Sequence, residues 1–89
     1  MKIYVYILLN ELKKFVIGSG ECIPKLENNR LVFYEVFDTL NEADERLKTI
    51  LSWPERKIRF LISLVNPALT DWKEELLNLP EYLGSTQNY

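Results

Sequence analysis

The stretch IYVYILL, residues 3–9, decides the fold. Its side chains alternate between two sides of an extended chain, one side aliphatic and the other carrying Tyr4, Tyr6 and Leu8. This period of two predicts a β-strand. Because both sides are bulky and apolar, we expect a strand that is covered on both faces of its sheet.

Two further strands are predicted. Residues 10–14 form a short polar connection to FVIG at 15–18, the pattern of an antiparallel hairpin partner that ends at a glycine. Residues 31–37, LVFYEVF, are β-branched or aromatic except for Glu35 and Leu31, and predict a third strand. The intervening residues contain glycine, proline and two asparagines, and predict a loop.

The second half of the chain changes to a helical period. Thr39 and Glu42 form a capping-box pattern for a first helix that ends near Ser52. Ser52 is then the predicted N-cap of a second helix, with Pro54 in its first turn and Glu55 completing the box. Its predicted inward-facing side chains are Ile58, Leu61, Ile62 and Val65.

A short third helix is predicted to start at Asp71 and Glu74, after Asn66 and Pro67 have ended the second. We therefore predict a single α+β domain over residues 1–79. It consists of a small, mainly antiparallel, three-stranded sheet followed by two to three helices. Residues 80–89 are expected to form a polar C-terminal tail.

Composition limits the function classes. The 89 residues are 47% apolar, which suffices for one core. The net charge of -2, from 11 Lys and Arg against 13 Asp and Glu, disfavours a duplex-DNA-binding face. The single cysteine, Cys22, excludes an intramolecular disulfide, so we expect a reducing, cytoplasmic location. No apolar stretch approaches ~18 residues, and we expect no membrane partner.

The order and spacing of these elements resemble the small single-domain members of the GIY-YIG nuclease superfamily. The resemblance implies the same fold and covers roughly residues 2–73. It is carried by YVYIL at 4–8, VIGS at 16–19, LVFYE at 31–35, NEA at 41–43, the turn at 53–57, and Asn66-Pro67 ahead of Trp72.

As the resemblance implies, such nucleases cut phosphodiesters with one divalent metal. A tyrosine from each of the first two strands and an arginine from the next helix act on water and phosphate, and a later glutamate binds the metal. Tyr6 occupies the first tyrosine position. Val16 stands at the second, where an isopropyl group can neither donate nor accept a proton.

The other two catalytic positions are also lost. The segment at 19–30 is too short and interrupted for the arginine-bearing helix, and Arg30 lies at its wrong end. The metal position falls on Leu47, and Glu45 lies about 200° around a helix of ~3.6 residues per turn. We therefore predict no catalytic residue, no metal ligand and no cofactor, and a protein that is not an enzyme.

A ligand site is nevertheless expected where strand ends, backbone N–H groups and an arginine converge. For the tyrosines, ordinary packing is the favoured alternative, and Glu35 is either a pocket carboxylate or a strand end turned to solvent. The predicted ligand-binding residues are Tyr4, Tyr6, Gly18, Ser19, Arg30 and Glu35.

A basic set around the helix junction offers a second phosphate surface. Acidic residues are interleaved with it, so a solvated helical face is the favoured alternative. The set comprises Arg46, Lys48, Arg56, Lys57 and Arg59.

The leading hypothesis is a non-catalytic binding protein on a GIY-YIG-like scaffold that occupies a nucleotide, a nucleic-acid end or a protein partner. One alternative is a residual metal-dependent nuclease that uses Tyr6, Glu35 and Arg30. Another is a small structural interaction or inhibitor protein, of viral or mobile-element kind, that sequesters a nucleotide signal. Because the loop at 19–30 offers little apolar cover, we also expect a homodimer through one sheet face, unless residues 76–82 cover it.

Overall fold

The computed structural model describes residues 2–24 and 28–78. These residues form a three-stranded antiparallel sheet followed by three helices, which confirms the predicted α+β class. The strands are β1 (Ile3–Leu9), β2 (Phe15–Gly20) and β3 (Arg30–Phe37), and the helices are α1 (Leu40–Leu51), α2 (Glu55–Val65) and α3 (Lys73–Leu77). No helix in these two ranges is long and apolar enough to cross a membrane.

β1 is the central strand and pairs antiparallel with β2 on one side and with β3 on the other. A tight turn joins β1 to β2, and Asn10 closes it. The Oδ1 atom of Asn10 accepts the backbone N–H groups of Leu12 and Lys14 at 2.9 and 3.0 Å. The predicted polar connection is therefore a hairpin, and β2 continues past its predicted end at Gly18 to Gly20.

β3 contains one irregularity. Phe33 lies opposite Ile7 and Leu31 lies opposite Leu8, so Val32 is an extra residue in β3. Such a β-bulge reverses the alternation of the side chains beyond it. As a result, Val32 and Phe33 both pack into one hydrophobic core, whereas Leu31 packs into the other.

The sheet has a hydrophobic core on each face, which confirms the expected cover on both sides of β1. The α1–α2 core comprises Ile3, Val5, Ile7, Val32, Phe33, Ala43, Ile50, Ile58 and Ile62. The α3 core comprises Tyr4, Tyr6, Leu8, Ile23, Leu31 and Leu76. Trp53 and Trp72 are partly buried, Trp53 against the first of these cores and Trp72 against the second.

The sheet face that was expected to be open is covered by the chain itself. Leu76 of α3 is 1% exposed, and Ile23 from the loop between β2 and β3 is 8% exposed. Beneath them, Tyr4 and Leu8 are fully buried. Ile23 and α3 therefore occupy the face that was expected to bind a partner subunit. Of the alternative covering segment, residues 79–82 lie outside the described residues.

Thr39 caps α1 as predicted. The Glu42 backbone N–H donates to Thr39 Oγ1 at 3.2 Å, and the Thr39 hydroxyl donates to the Glu42 carboxylate at 2.9 Å. The prediction for α2 is wrong at its start, because α2 begins after Pro54 and the Ser52 hydroxyl donates to a carbonyl in the last turn of α1. It is also wrong for Val65, whose side chain is 54% exposed rather than inward.

The link between α2 and α3 is fastened to the outer edge of β3. Asn66, only 4% exposed, donates from Nδ2 to the Val32 carbonyl at 3.1 Å. Asp71 Oδ1 accepts the Leu31 N–H at 3.0 Å, and the Trp72 N–H donates to the Leu31 carbonyl at 2.8 Å. These bonds carry the chain around the edge of the sheet and place α3 on the face opposite α1 and α2.

Candidate functional site

Tyr4, the first of the predicted ligand residues, belongs to an aromatic row within the protein. Its side chain is fully buried, and its ring centroid lies 6.3 Å from that of Tyr34. The Tyr34 ring in turn meets Trp72 edge-on, at 6.2 Å and 87°. Aromatic pairs at these distances and angles stabilise a core. The packing interpretation of Tyr4 is therefore the one that the geometry favours.

Tyr6 and Gly18 are in contact, and their contact is structural. A Cβ atom placed on Gly18 would lie 2.6 Å from the Tyr6 hydroxyl oxygen and 2.9 Å from Cζ, so the tyrosine ring occupies the space that the glycine leaves. Burial raises the pKa of the Tyr6 phenol, because the charged form loses its hydration. The phenol therefore stays neutral at physiological pH and is poorly suited to act as a base.

Arg30 lies far from the Gly18–Ser19 segment. Ser19 pairs with Val5 and Arg30 pairs with Leu9, and these partners are four residues apart in β1, about 13 Å along the strand. Ser19 and Arg30 also lie on the two different edge strands. The expected convergence of these groups around one anion does not occur.

Glu35 is a paired carboxylate and not a solvated strand end. Its two oxygens accept Nε and Nη2 of Arg46 in α1 at 2.7 and 3.2 Å, and both side chains are about 30% exposed. The Arg46 guanidinium also lies 5.3 Å from the centroid of the Trp53 ring, and the Lys57 ammonium lies 4.4 Å from the same centroid. Two members of the predicted basic set are thus engaged on Trp53.

A cleft that the sequence did not reveal lies where β1 ends and β3 begins. It has a volume of about 390 Å³. We call it the basic cleft, because its described lining residues include Lys13 of the hairpin, Arg30 of β3 and Arg59 of α2, with Glu11 as their one carboxylate. Its other lining residues are Leu9, Asn10, Asn28 and Leu69.

The cations of the basic cleft are largely uncompensated. Arg59 has a loose contact of 3.5 Å with Glu55, both exposed, and its guanidinium lies 4.9 Å from the Phe15 ring centroid. Across the described part of the chain, neither Lys13 nor Arg30 forms an ion pair. Among the described lining residues, three cations and the single carboxylate of Glu11 give a formal charge of about +2. A partly desolvated anion would be stabilised there.

The backbone around the basic cleft is unusual. Among the residues that the structure describes, the non-glycine residues with positive φ are Lys13, Asn28 and Leu69, at 61°, 67° and 54°. All three line this cleft. Positive φ is ordinary for asparagine but strained for a bulky residue such as leucine. Strained backbone of this kind concentrates at binding sites, where the surrounding structure holds it in place.

An apolar extension adjoins the basic cleft. It has a volume of about 170 Å³ and shares Arg59 and Leu69 with the larger cleft. Phe15 and Ile62 supply its apolar walls, and Ser63 and Asn66 add polar groups. The two volumes together could hold a ligand with an anionic part and a flat apolar part.

Within residues 2–24 and 28–78, no three His, Cys, Asp or Glu side chains group in a way that could hold a metal ion. Comparison with protein-family models, with curated proteins and with solved structures finds no match to this chain. The chemistry of the clefts is therefore what points to a function.

Proposed function

We propose that this chain is a non-catalytic binding protein on a GIY-YIG-like scaffold, and that it holds a phosphate-bearing nucleotide in the basic cleft. The observation that carries the proposal is the meeting of Lys13, Arg30 and Arg59, from three separate elements, in one cleft. Arginine and lysine donors make charge-assisted hydrogen bonds to phosphate oxygens, which are among the strongest in proteins.

Charge distribution supports an anionic ligand. The whole chain carries -2, so a cleft of the opposite sign is a local feature rather than a consequence of bulk composition. The apolar extension beside Phe15 favours a nucleotide over inorganic phosphate, because a base has an apolar face to bury there. A nucleic-acid end offers the same phosphate and base, and its binding would be an outcome of the same experiment.

The residual-nuclease alternative has less support. Its three proposed residues lie apart: Tyr6 packs in the α3 core, Glu35 is paired with Arg46, and Arg30 lies at the far end of the sheet. A general base must reach the proton it removes. A binding protein that holds a nucleotide without cutting it also agrees with the sequestering role considered from the sequence.

The homodimer remains part of the proposal, through a different surface from the one first expected. Phe60 and Leu64 on α2 are 62% and 65% exposed. They are one helical turn apart and so form a contiguous apolar surface, of the kind that associates in water. Sedimentation equilibrium should give a dimer mass for the wild type and a monomer mass for Phe60→Ser. A monomer mass for both would contradict this part of the proposal.

Titration with AMP and ATP, followed by amide chemical shifts, tests the ligand. We expect shifts at the hairpin turn, at Arg30 and at Leu69. Arg30→Ala and Arg59→Ala should each lower the affinity about 5- to 30-fold, the equivalent of ~1–2 kcal/mol for an exposed charge-assisted bond. Arg56→Ala is the matched control, because Arg56 is an exposed arginine of α2 outside the cleft.

Two results would contradict the proposal. If Arg56→Ala weakens binding as much as Arg59→Ala does, the ligand binds the exposed helical face instead. If the protein cleaves DNA or RNA with magnesium or manganese, and the cleavage disappears in Tyr6→Phe, the protein is a nuclease.

A further inference from the structure

A second cleft lies along the outer edge of β3, between the end of α2 and α3. It has a volume of about 510 Å³, and we call it the β3 cleft. Its lining residues are Phe33, Tyr34, Glu35, Val65, Trp72 and Glu75. It shares no residue with the basic cleft.

Aromatic rings form two walls of the β3 cleft. Tyr34 and Trp72 are partly exposed, and their rings stand at 87° with centroids 6.2 Å apart. In this edge-to-face pair the edge of one ring lies against the face of the other. The negative π face of an aromatic ring attracts a cation that lies within about 6 Å. The bonds that hold Trp72 to the edge of β3 fix one of these walls.

The charge of the β3 cleft is opposite to that of the basic cleft. Glu35 and Glu75 line it, and no lysine or arginine among the described residues does so. Arg46 lies behind Glu35 and fixes its carboxylate with one bond to each oxygen. Each of those oxygens retains a second acceptor site. Glu75 is exposed on α3 and forms no ion pair with another described residue, so it supplies the negative charge.

We infer that the β3 cleft binds an organic ammonium cation, with a quaternary ammonium group as the best fit. Such a group is bulky and weakly hydrated, so it can contact both rings and the Val65 side chain while it stays near Glu75. An inorganic divalent ion fits less well, because it requires six or more oxygen ligands and the cleft offers two carboxylates.

Choline and its neutral carbon isostere, 3,3-dimethylbutan-1-ol, separate charge recognition from apolar contact. Titration with choline should shift the indole N–H resonance of Trp72. The resonance of Trp53 should not move, because Arg46 and Lys57 already lie against that ring. The neutral isostere should leave both resonances unchanged at the same concentration.

Two variants test the walls and the charge. Glu75→Gln should lower the choline affinity about 2- to 5-fold, as expected for one exposed ion pair. Glu74→Gln, a neighbouring carboxylate of α3 outside the cleft, should not change it. Tyr34→Leu should lower it about 3- to 10-fold through loss of one aromatic face. An unchanged Trp53 resonance shows that this variant is folded.

The source of the cation can be read from the same titration. A peptide that carries trimethyllysine should bind more tightly than choline if the natural ligand is a protein side chain, and less tightly if it is a free small molecule. The inference is overturned if the neutral isostere shifts Trp72 as choline does, or if Glu75→Gln and Glu74→Gln have equal effects.

Discussion

Replacing Gly18 with alanine tests whether the Tyr6 ring has the structural role assigned to it. The new Cβ atom would lie 2.6 Å from the Tyr6 hydroxyl oxygen, whereas ordinary contacts begin at 3.4 Å, so the ring must move by about 0.8 Å. Tyr6 is only 9% exposed and has little free space. Overpacking of this kind costs about 1–3 kcal/mol.

A smaller effect acts in the opposite direction. Gly18 does not have a positive φ, so alanine is compatible with its backbone and lowers the entropy of the unfolded chain by the equivalent of about 0.4–1 kcal/mol. The net expectation is a loss of about 1–2 kcal/mol, which lowers Tm by roughly 5–15 °C in a domain of this size.

Thermal unfolding followed by circular dichroism measures this loss, with Gly20→Ala as the matched control. Gly20 is in the same strand, and its nearest contact for a Cβ atom is the Cys22 carbonyl at an ordinary 3.5 Å. We expect Gly20→Ala to be neutral or slightly stabilising. Equal Tm values for the two variants would refute the assigned role of the ring. In a Tyr6→Leu background, Gly18→Ala should no longer be destabilising.

Three further predictions concern the interior. The pKa of Tyr6 is raised above its ordinary 10.0, so this tyrosine ionises in the unfolded chain before it does in the folded one. The free energy of unfolding should therefore fall as the pH rises past about 10. Measured as Tm between pH 8 and 11, the fall should be smaller for Tyr6→Phe than for the wild type. Asn66→Ala removes the side-chain donor to the Val32 carbonyl and should lower the free energy of unfolding in urea by about 1–3 kcal/mol. An unchanged urea midpoint would show that this hydrogen bond does not stabilise the fold. Arg46→Met leaves Glu35 without its partner and should lower the free energy of unfolding by about 1–2 kcal/mol. If the two residues act as a pair, this loss should be smaller when Arg46→Met is made in the Glu35→Gln variant.

The periodic parts of the chain could be predicted from the sequence. The alternation in β1 indicated burial on both faces, and Thr39 with Glu42 located the start of α1, because local side-chain patterns determine these features. The predicted start of α2 was wrong, because the Ser52 hydroxyl donates to a carbonyl of α1 and does not cap α2. From the sequence alone the Ser52 hydroxyl can bond either to the last turn of α1 or to the first turn of α2, and only the geometry of the turn decides between them.

The sites were harder to predict, since their residues come from distant parts of the chain. Arg30 was identified from its charge, but for Arg59 a solvated helical face was favoured over a phosphate surface, and Lys13 was placed only in the polar connection after β1. Both line the basic cleft, where the Arg59 guanidinium of α2 lies 4.9 Å from the Phe15 ring centroid at the start of β2. Burial of the second sheet face by Leu76 was considered only as an alternative to a homodimer, although α3 itself was predicted. Which face a short helix covers depends on the link before it.

The position of Arg30 depends on the β-bulge. With regular alternation from Phe33, Arg30 would point to the face that carries the α3 core, away from α2. The extra residue Val32 reverses that alternation, so Arg30 pairs with Leu9 on the face where Arg59 lies. A bulge is a single departure from the period of two, and LVFYEVF shows no glycine or proline to mark it. The extra residue Val32 is therefore what brings Arg30 into the basic cleft.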